Sequence, residues 1–269
     1  MNSNHNFTGS IPGNYDHYLR PLIFEPYAED LAVRIEKLRH KDILETAAGT
    51  GVVTALLAKS LREGDKLVVT DINPAMLEIA KKAIVNPAII FQLADATSLP
   101  FEDSSFDVVV TQFGVMFFPD KLQGYREAFR MLRRGGTFLF NVWDKLELNE
   151  LAALSNATVG EMFPHSPPSF MAATPHGYHD VEDIKSALTK AGFENVTAEI
   201  LPKRSRAPSA REPAMAYCQG TPMRAEIETR DATKLELATD LCEKAIMEKF
   251  GTGAIDAAIQ AIVFTASRN

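Results

Sequence analysis

Short apolar, β-branched segments alternate with amphipathic stretches through the first half of this 269-residue chain. Segments near 42–46, 66–71, 88–93, 106–112 and 136–142 read as strands, and those near 51–62, 74–85 and 121–133 as helices. Such alternation predicts a parallel sheet, because parallel neighbours need a long crossover between them. Ligands of open parallel sheets bind outside the carboxyl ends of the strands. The residues at those ends therefore limit what the chain can bind.

Polar residues that can meet a ligand stand at or just beyond four of the ends. The first strand runs DILE over 42–45 and turns through TAAGTG over 46–51, so Glu45 leads directly into a glycine turn. Gly49 and Gly51 lack the Cβ that would block a ligand from the backbone, and the small Ala47 and Ala48 keep the same approach open. The helix from Val52 aims its first N–H groups back at the turn, which suits a carboxylate. The second strand ends in Asp71, followed by Ile72, Asn73 and Pro74. An acid there can accept both hydroxyls of a ribose. The third strand leads to Asp95 and Ala96, where a carboxylate can accept an adenine amino group and the next N–H can donate to the ring. The fourth strand ends in Gln112 before Phe113. Single acids at strand ends commonly cap the following helix, but Glu45, Asp71, Asp95 and Gln112 together converge on one nucleoside-bearing ligand. A dinucleotide fingerprint would need a third small residue, where this chain has Thr54, and no Tyr-x-x-x-Lys pair occurs. An NAD-linked oxidoreductase is thus an alternative, as is a cofactor-binding regulatory protein without catalysis.

With these motifs the chain resembles the class I S-adenosylmethionine-dependent methyltransferases, in the small-molecule branch that includes quinone-type C-methyltransferases. Four segments carry the likeness: 43–51, 68–76, 93–100 and 106–120, with Gly135 and Gly136 beyond. The resemblance implies a Rossmann-like α/β fold: a seven-stranded, mostly parallel sheet with helices on both faces and a helical cap. It implies S-adenosylmethionine as cofactor and a small-molecule methyl acceptor. Glu45 and the turn from Ala47 through Gly49 to Gly51 would face the methionine part, Asp71 the ribose, Ile72 and Met76 the adenine face, and Asp95 with Ala96 the adenine edge. Gln112 and Phe113 would stand near the sulfonium, and Tyr18 would cover the cofactor, as an N-terminal Tyr does in relatives. Many relatives have Gly where this chain has Ala47.

Beyond residue 144 the pattern loosens. A helix near 180–191, a strand at 194–201, a helical section over 209–250 and a last strand at 258–265 complete the sheet, the last by antiparallel pairing. The domain reading is an N-terminal cap segment over 1–40, a cofactor-binding domain over 41–208 and 251–269, and a helical cap insertion over 209–250. With the loop over 163–178 these caps are expected to enclose the acceptor. A net charge of −7 has the wrong sign for a nucleic-acid partner, and no Asn-Pro-Pro-Tyr tetrapeptide follows the fourth strand. Cys218 and Cys242 lack metal-ligand spacing, so neither a metal site nor a disulfide framework is expected. No leader and no membrane span are recognisable, which predicts a cytoplasmic protein, with a homodimer among the compatible assemblies. His17, His165, His176, His179 and Tyr178 are candidates for a general base, and none is singled out.

Overall fold

The computed structural model describes residues 9, 11–38 and 41–269, so part of the expected 1–40 segment lies outside the described residues. Seven strands form one sheet: β1 (Asp42–Glu45), β2 (Lys66–Asp71), β3 (Ile89–Leu93), β4 (Phe106–Gln112), β5 (Leu132–Trp143), β6 (Glu194–Ala207) and β7 (Ile255–Arg268). Their spatial order is β3-β2-β1-β4-β5-β7-β6. The helices are α1 (Ile11–Asn14), α2 (Glu25–Glu36), α3 (Val52–Ser60), α4 (Pro74–Ala83), α5 (Lys121–Met131), α6 (Glu150–Met162), α7 (Phe170–Ala173), α8 (Val181–Ala191), α9 (Arg211–Gln219), α10 (Met223–Asp231) and α11 (Leu235–Phe250).

The chain divides into two compact units. One, the sheet unit, holds Tyr27–Val142, His179–Leu201 and Ile262–Asn269. Here β1 to β5 pair in parallel. Leu67, Val68, Val69 and Thr70 are buried in succession, which requires cover on both faces of the sheet. The register brings Glu45 opposite Val69 and Val110, Asp71 opposite Leu93, and Gln112 opposite Asn141. β7 runs the other way: Arg268 reaches the Leu132 carbonyl while Phe264 stacks on Phe140, so its numbers fall as those of β5 rise. Phe138, Phe140, Phe193 and Phe264 form a continuous aromatic core. Side-chain caps start the helices that flank it. Asn73 accepts from the Ala75 and Met76 N–H groups ahead of α4, and Asp120 accepts from Gln123 N–H ahead of α5, as short polar residues do at N-termini.

The other, helical unit holds the chain through Pro26, Trp143–Tyr178 and Pro202–Ala261. In it α11 packs on α9 and α6. This division differs from the expected one. Residues from Tyr27 join the sheet unit because Tyr27 packs edge-on against Phe113 and donates its hydroxyl to the Leu201 carbonyl. Residues 143–178 join the helical unit through α6. The long helical section expected over 209–250 is three helices. A Cβ on Gly220 would lie 2.7 Å from the Ala216 carbonyl oxygen, and Pro222 follows; Asp231 then caps a short 3-10 turn. Residues Tyr15–Phe24 form a π-helix in which Glu25 N–H reaches back to the Arg20 carbonyl. Pro21 lies inside it and has no N–H to give to a tighter ladder. β5 begins at Leu132, four residues before the expected start at 136, through a register shift opposite Phe106–Val108. Cys218 and Cys242, far apart in sequence, are both free and buried with their sulfurs 3.5 Å apart.

Candidate cofactor-binding site

Glu45 closes β1 with only 2% of its surface exposed. Its Oε2 accepts the Thr54 hydroxyl at 2.6 Å, tying the strand end to the first turn of α3. Burial pushes this carboxyl up to about 8, and the neighbouring charge of Asp71 adds to the rise. A positive charge bound beside such a carboxyl favours its ionised form, and the proton leaves to solvent.

Asp71 is also buried, and its carboxylate already serves the backbone. Oδ2 accepts Gly49 N–H at 2.7 Å and Oδ1 accepts Asn73 N–H at 2.7 Å. Burial raises its pKa, against the backbone N–H groups that oppose the rise. One side chain thus ties together the turn after β1 and the turn after β2, and Ala48 N–H adds a bond to the Thr70 carbonyl.

The glycine turn is shaped by left-handed backbone at Ala47, Gly49 and Gly51, with φ of 50°, 57° and 82°. A Cβ on Gly49 would meet nothing within 4 Å, so the space over this residue is open for a ligand. Gly51 has a different reason. A Cβ there would lie 2.9 Å from Ala80 Cβ and 3.0 Å from Ile84 Cδ1, so this glycine, expected to clear a ligand's approach, lets α3 close on α4. Ala47, with φ of 50°, holds a conformation that costs an L-residue strain.

Beyond β2, Ile72 is 39% exposed while Met76 is buried. Leu93, opposite Asp71, is 56% exposed. Exposed apolar side chains at a strand end suit the face of a base, and Leu93 was readable only as a strand residue. Asp95 is half-buried, and its Oδ1 accepts the Thr97 N–H and hydroxyl at 2.8 and 2.7 Å; Ala96 beside it is half-exposed.

After β4 the chain bends at Phe113, whose φ is 49°. Phe113 N–H donates to Asn141 Oδ1 at 2.9 Å, and its ring packs on Tyr27. Gln112 is half-buried beside it. Thr50 Oγ1 in the glycine turn and Asn141 Nδ2 are buried at this end of the sheet and have no hydrogen-bond partner among the described residues. Such groups are rare in native proteins and fit a site whose ligand completes them. Neither residue stood out in the sequence, although an Asn within the apolar run FLFNVW over 138–143 was a signal.

The structure thus gathers Glu45, Ala47, Gly49, Asp71, Asp95, Gln112 and Phe113 on the carboxyl-end turns of one sheet. Tyr18 belongs to the helical unit, where it is half-buried and packs edge-on against His17. Of the base candidates, His17 and His165 are exposed, and His176 is buried with Nδ1 2.8 Å from the Asp144 carbonyl. Among the described residues no group of His, Cys, Asp and Glu side chains could hold a metal ion. No helix among them is long and apolar enough to cross a membrane.

The profile of the ubiE/COQ5 methyltransferase family matches residues 27–203. The chain belongs to that family. It is an S-adenosylmethionine-dependent methyltransferase, and S-adenosylmethionine is its cofactor. Among similar proteins is the ubiquinone/menaquinone biosynthesis C-methyltransferase UbiE of Cronobacter sakazakii, 32% identical over 171 residues that cover 59% of this methyltransferase and 68% of that protein. The protein of the same name from Pectobacterium atrosepticum is 29% identical over the same coverage. Among solved structures, the fold is shared with Haemonchus contortus phosphoethanolamine N-methyltransferase 2 in complex with S-adenosyl-L-methionine. There the TM-score is 0.62 at 17% identity, over 98% of this chain and 58% of that one. The YcgJ protein of Bacillus shares it with a TM-score of 0.56 at 18% identity, over 91% and 99% of the two chains.

Proposed function

We propose that this methyltransferase transfers a methyl group to a ring carbon of a quinol-type aromatic small molecule, with Glu45, Asp71, Asp95, Gln112 and Phe113 forming the cofactor pocket. The observation that carries the pocket is the register that sets Glu45, Asp71 and Gln112 at adjacent strand ends around the left-handed turn over 47–51. Bound there, S-adenosylmethionine supplies a methyl group already activated on a positive sulfur. The protein's own work is to orient: holding donor and acceptor in line is worth on the order of 7–11 kcal/mol. Glu45, once ionised, faces the ammonium of the methionine part. Asp71 accepts from the ribose with the lone pairs its backbone bonds leave over, Ile72, Leu93 and Met76 line the base, and Asp95 with Ala96 reads its edge. Tyr18 is assigned to covering the cofactor.

The quinol class is supported by the names of the UbiE relatives. The family match ends at residue 203, before α9, α10 and α11. The free thiols of Cys218 and Cys242 fit a reducing, cytoplasmic compartment.

The test starts with thermal midpoints and binding heats for S-adenosylmethionine, S-adenosylhomocysteine and NAD in parallel. A ligand at 100 times its dissociation constant stabilises by about 2.7 kcal/mol, and only the two sulfur compounds should do so. Transfer of labelled methyl to anaerobic 1,4-naphthoquinol, found on ring carbon, then tests the acceptor class. Label on oxygen alone, or none, would overturn it.

A further inference from the structure

Asn141 lies near the carboxyl end of β5, in register with Gln112 of β4, and is fully buried. The orientation of its amide is fixed, because Phe113 N–H is only a donor and the atom 2.9 Å from it must be the oxygen. Phe113 N–H also approaches the Asn141 backbone carbonyl at 3.3 Å. Both acceptors of one residue thus hold the left-handed bend at Phe113. An aspartate could accept the same N–H. What asparagine adds is Nδ2, a buried donor with no hydrogen-bond partner among the described residues, and leaving a buried donor unmade is costly. The bend that Asn141 holds leads into Gly114, where a Cβ would fall 2.6 Å from Ala47 Cβ. The donor therefore belongs to the same end of the sheet as the glycine turn.

We propose that Asn141 Nδ2 donates to the methionine carboxylate of bound S-adenosylmethionine, making Asn141 a binding residue for the cofactor as well as the support of Phe113. This rests on reading the strand ends as the cofactor pocket. A carboxylate is the strongest hydrogen-bond acceptor on that molecule, and a buried amide donor at the turn's end of the sheet satisfies it without adding a second buried charge.

Asn141→Asp tests it, since the variant keeps size and the acceptor for Phe113 but loses the donor. Calorimetry should show S-adenosylhomocysteine bound about tenfold or more weakly at pH 8, the scale of one hydrogen bond to a charged group. The ligand-free thermal midpoint should fall, because the variant places a carboxylate at a fully buried position, so the decarboxylated analogue is the control for general damage. The analogue of S-adenosylhomocysteine that lacks the carboxylate should bind wild type and variant alike. Equal affinity of the two proteins for S-adenosylhomocysteine, or an equal loss with the decarboxylated analogue, would overturn the proposal. Should the variant fail to fold, selectively ¹⁵N-labelled wild type answers the same question. The Asn141 side-chain amide protons should shift downfield with S-adenosylhomocysteine and stay still with the decarboxylated analogue; no movement with either overturns the assignment. Wild type that binds no S-adenosylhomocysteine would overturn the pocket reading and this proposal with it, whereas binding by wild type and variant alike overturns the Asn141 assignment alone.

Discussion

Gly114 has no room for a side chain because Ala47 carries one: a Cβ built on Gly114 would lie 2.6 Å from Ala47 Cβ and 2.7 Å from Thr111 Cγ2. The glycine turn over 47–51 and the bend after β4 are therefore fitted to each other. Gly114→Ala should destabilise by about 1–3 kcal/mol, the usual cost of overpacking. Ala47→Gly should stabilise by up to about 1 kcal/mol through relief of its left-handed backbone, and in the double variant it should return part of the Gly114→Ala loss. Urea unfolding of the four proteins measures the coupling; strict additivity would mean that Thr111 alone makes the clash.

Glu45 links pH to both stability and binding. Its carboxyl titrates at about 8 when folded, against an ordinary 4.5. Between those values the folded protein holds a proton that the unfolded chain releases, so this group makes ligand-free stability fall as pH rises across that window. One proton corresponds to a slope of about 1.4 kcal/mol per pH unit. Glu45→Gln should flatten that slope in urea unfolding from pH 5 to pH 8, and a slope identical to wild type would place the titration elsewhere. Binding of S-adenosylmethionine at pH 7 should release close to one proton, read by calorimetry in two buffers of different ionisation heat.

Asp71→Ala should weaken S-adenosylhomocysteine binding by about 1.5–3 kcal/mol, the range for hydrogen bonds to a charged group. It should also destabilise the ligand-free protein, because the Gly49 and Asn73 N–H groups lose their acceptor. Asp71→Asn keeps an oxygen for one of the two and should fall between. A loss of affinity with no loss of stability would show that the backbone bonds contribute nothing in solution.

The two turn glycines should separate in the same assays. Gly51→Ala pushes a methyl into Ala80 and Ile84 and should cost about 1–3 kcal/mol from overpacking beyond its backbone strain. Gly49→Ala meets open space, so only the strain of about 1–2 kcal/mol applies, and its larger effect should be on cofactor affinity. A Gly49→Ala protein that is the less stable of the two would reverse these assignments.

The parallel half of the sheet was readable in the sequence because β-branched runs with acids at their ends have few alternatives. Glu45, Asp71 and Gln112 stand where that pattern places them. Gly51 shows the limit: a glycine's missing Cβ makes room for something, and only the packed structure reveals that the something is α4. Residues 209–250 read as one helical section, since a single Gly or Pro does not by itself break a helical pattern, whereas α9 ends at Gln219 and α10 starts at Met223 after Gly220 and Pro222. The π-helix at Tyr15–Phe24 and the early start of β5 depend likewise on contacts that local periodicity does not contain. Asn141 was visible as a polar residue in an apolar strand, yet its unmade donor exists only once Phe113 has taken the other end of the amide.

Asp71 has one further consequence. Its two oxygens are staples between consecutive crossovers, one driven into each, so neither loop can be remodelled without loosening the other. Drift or engineering that retunes this pocket must revise the pair in concert, and a graft of the glycine turn alone onto another scaffold would arrive without its anchor.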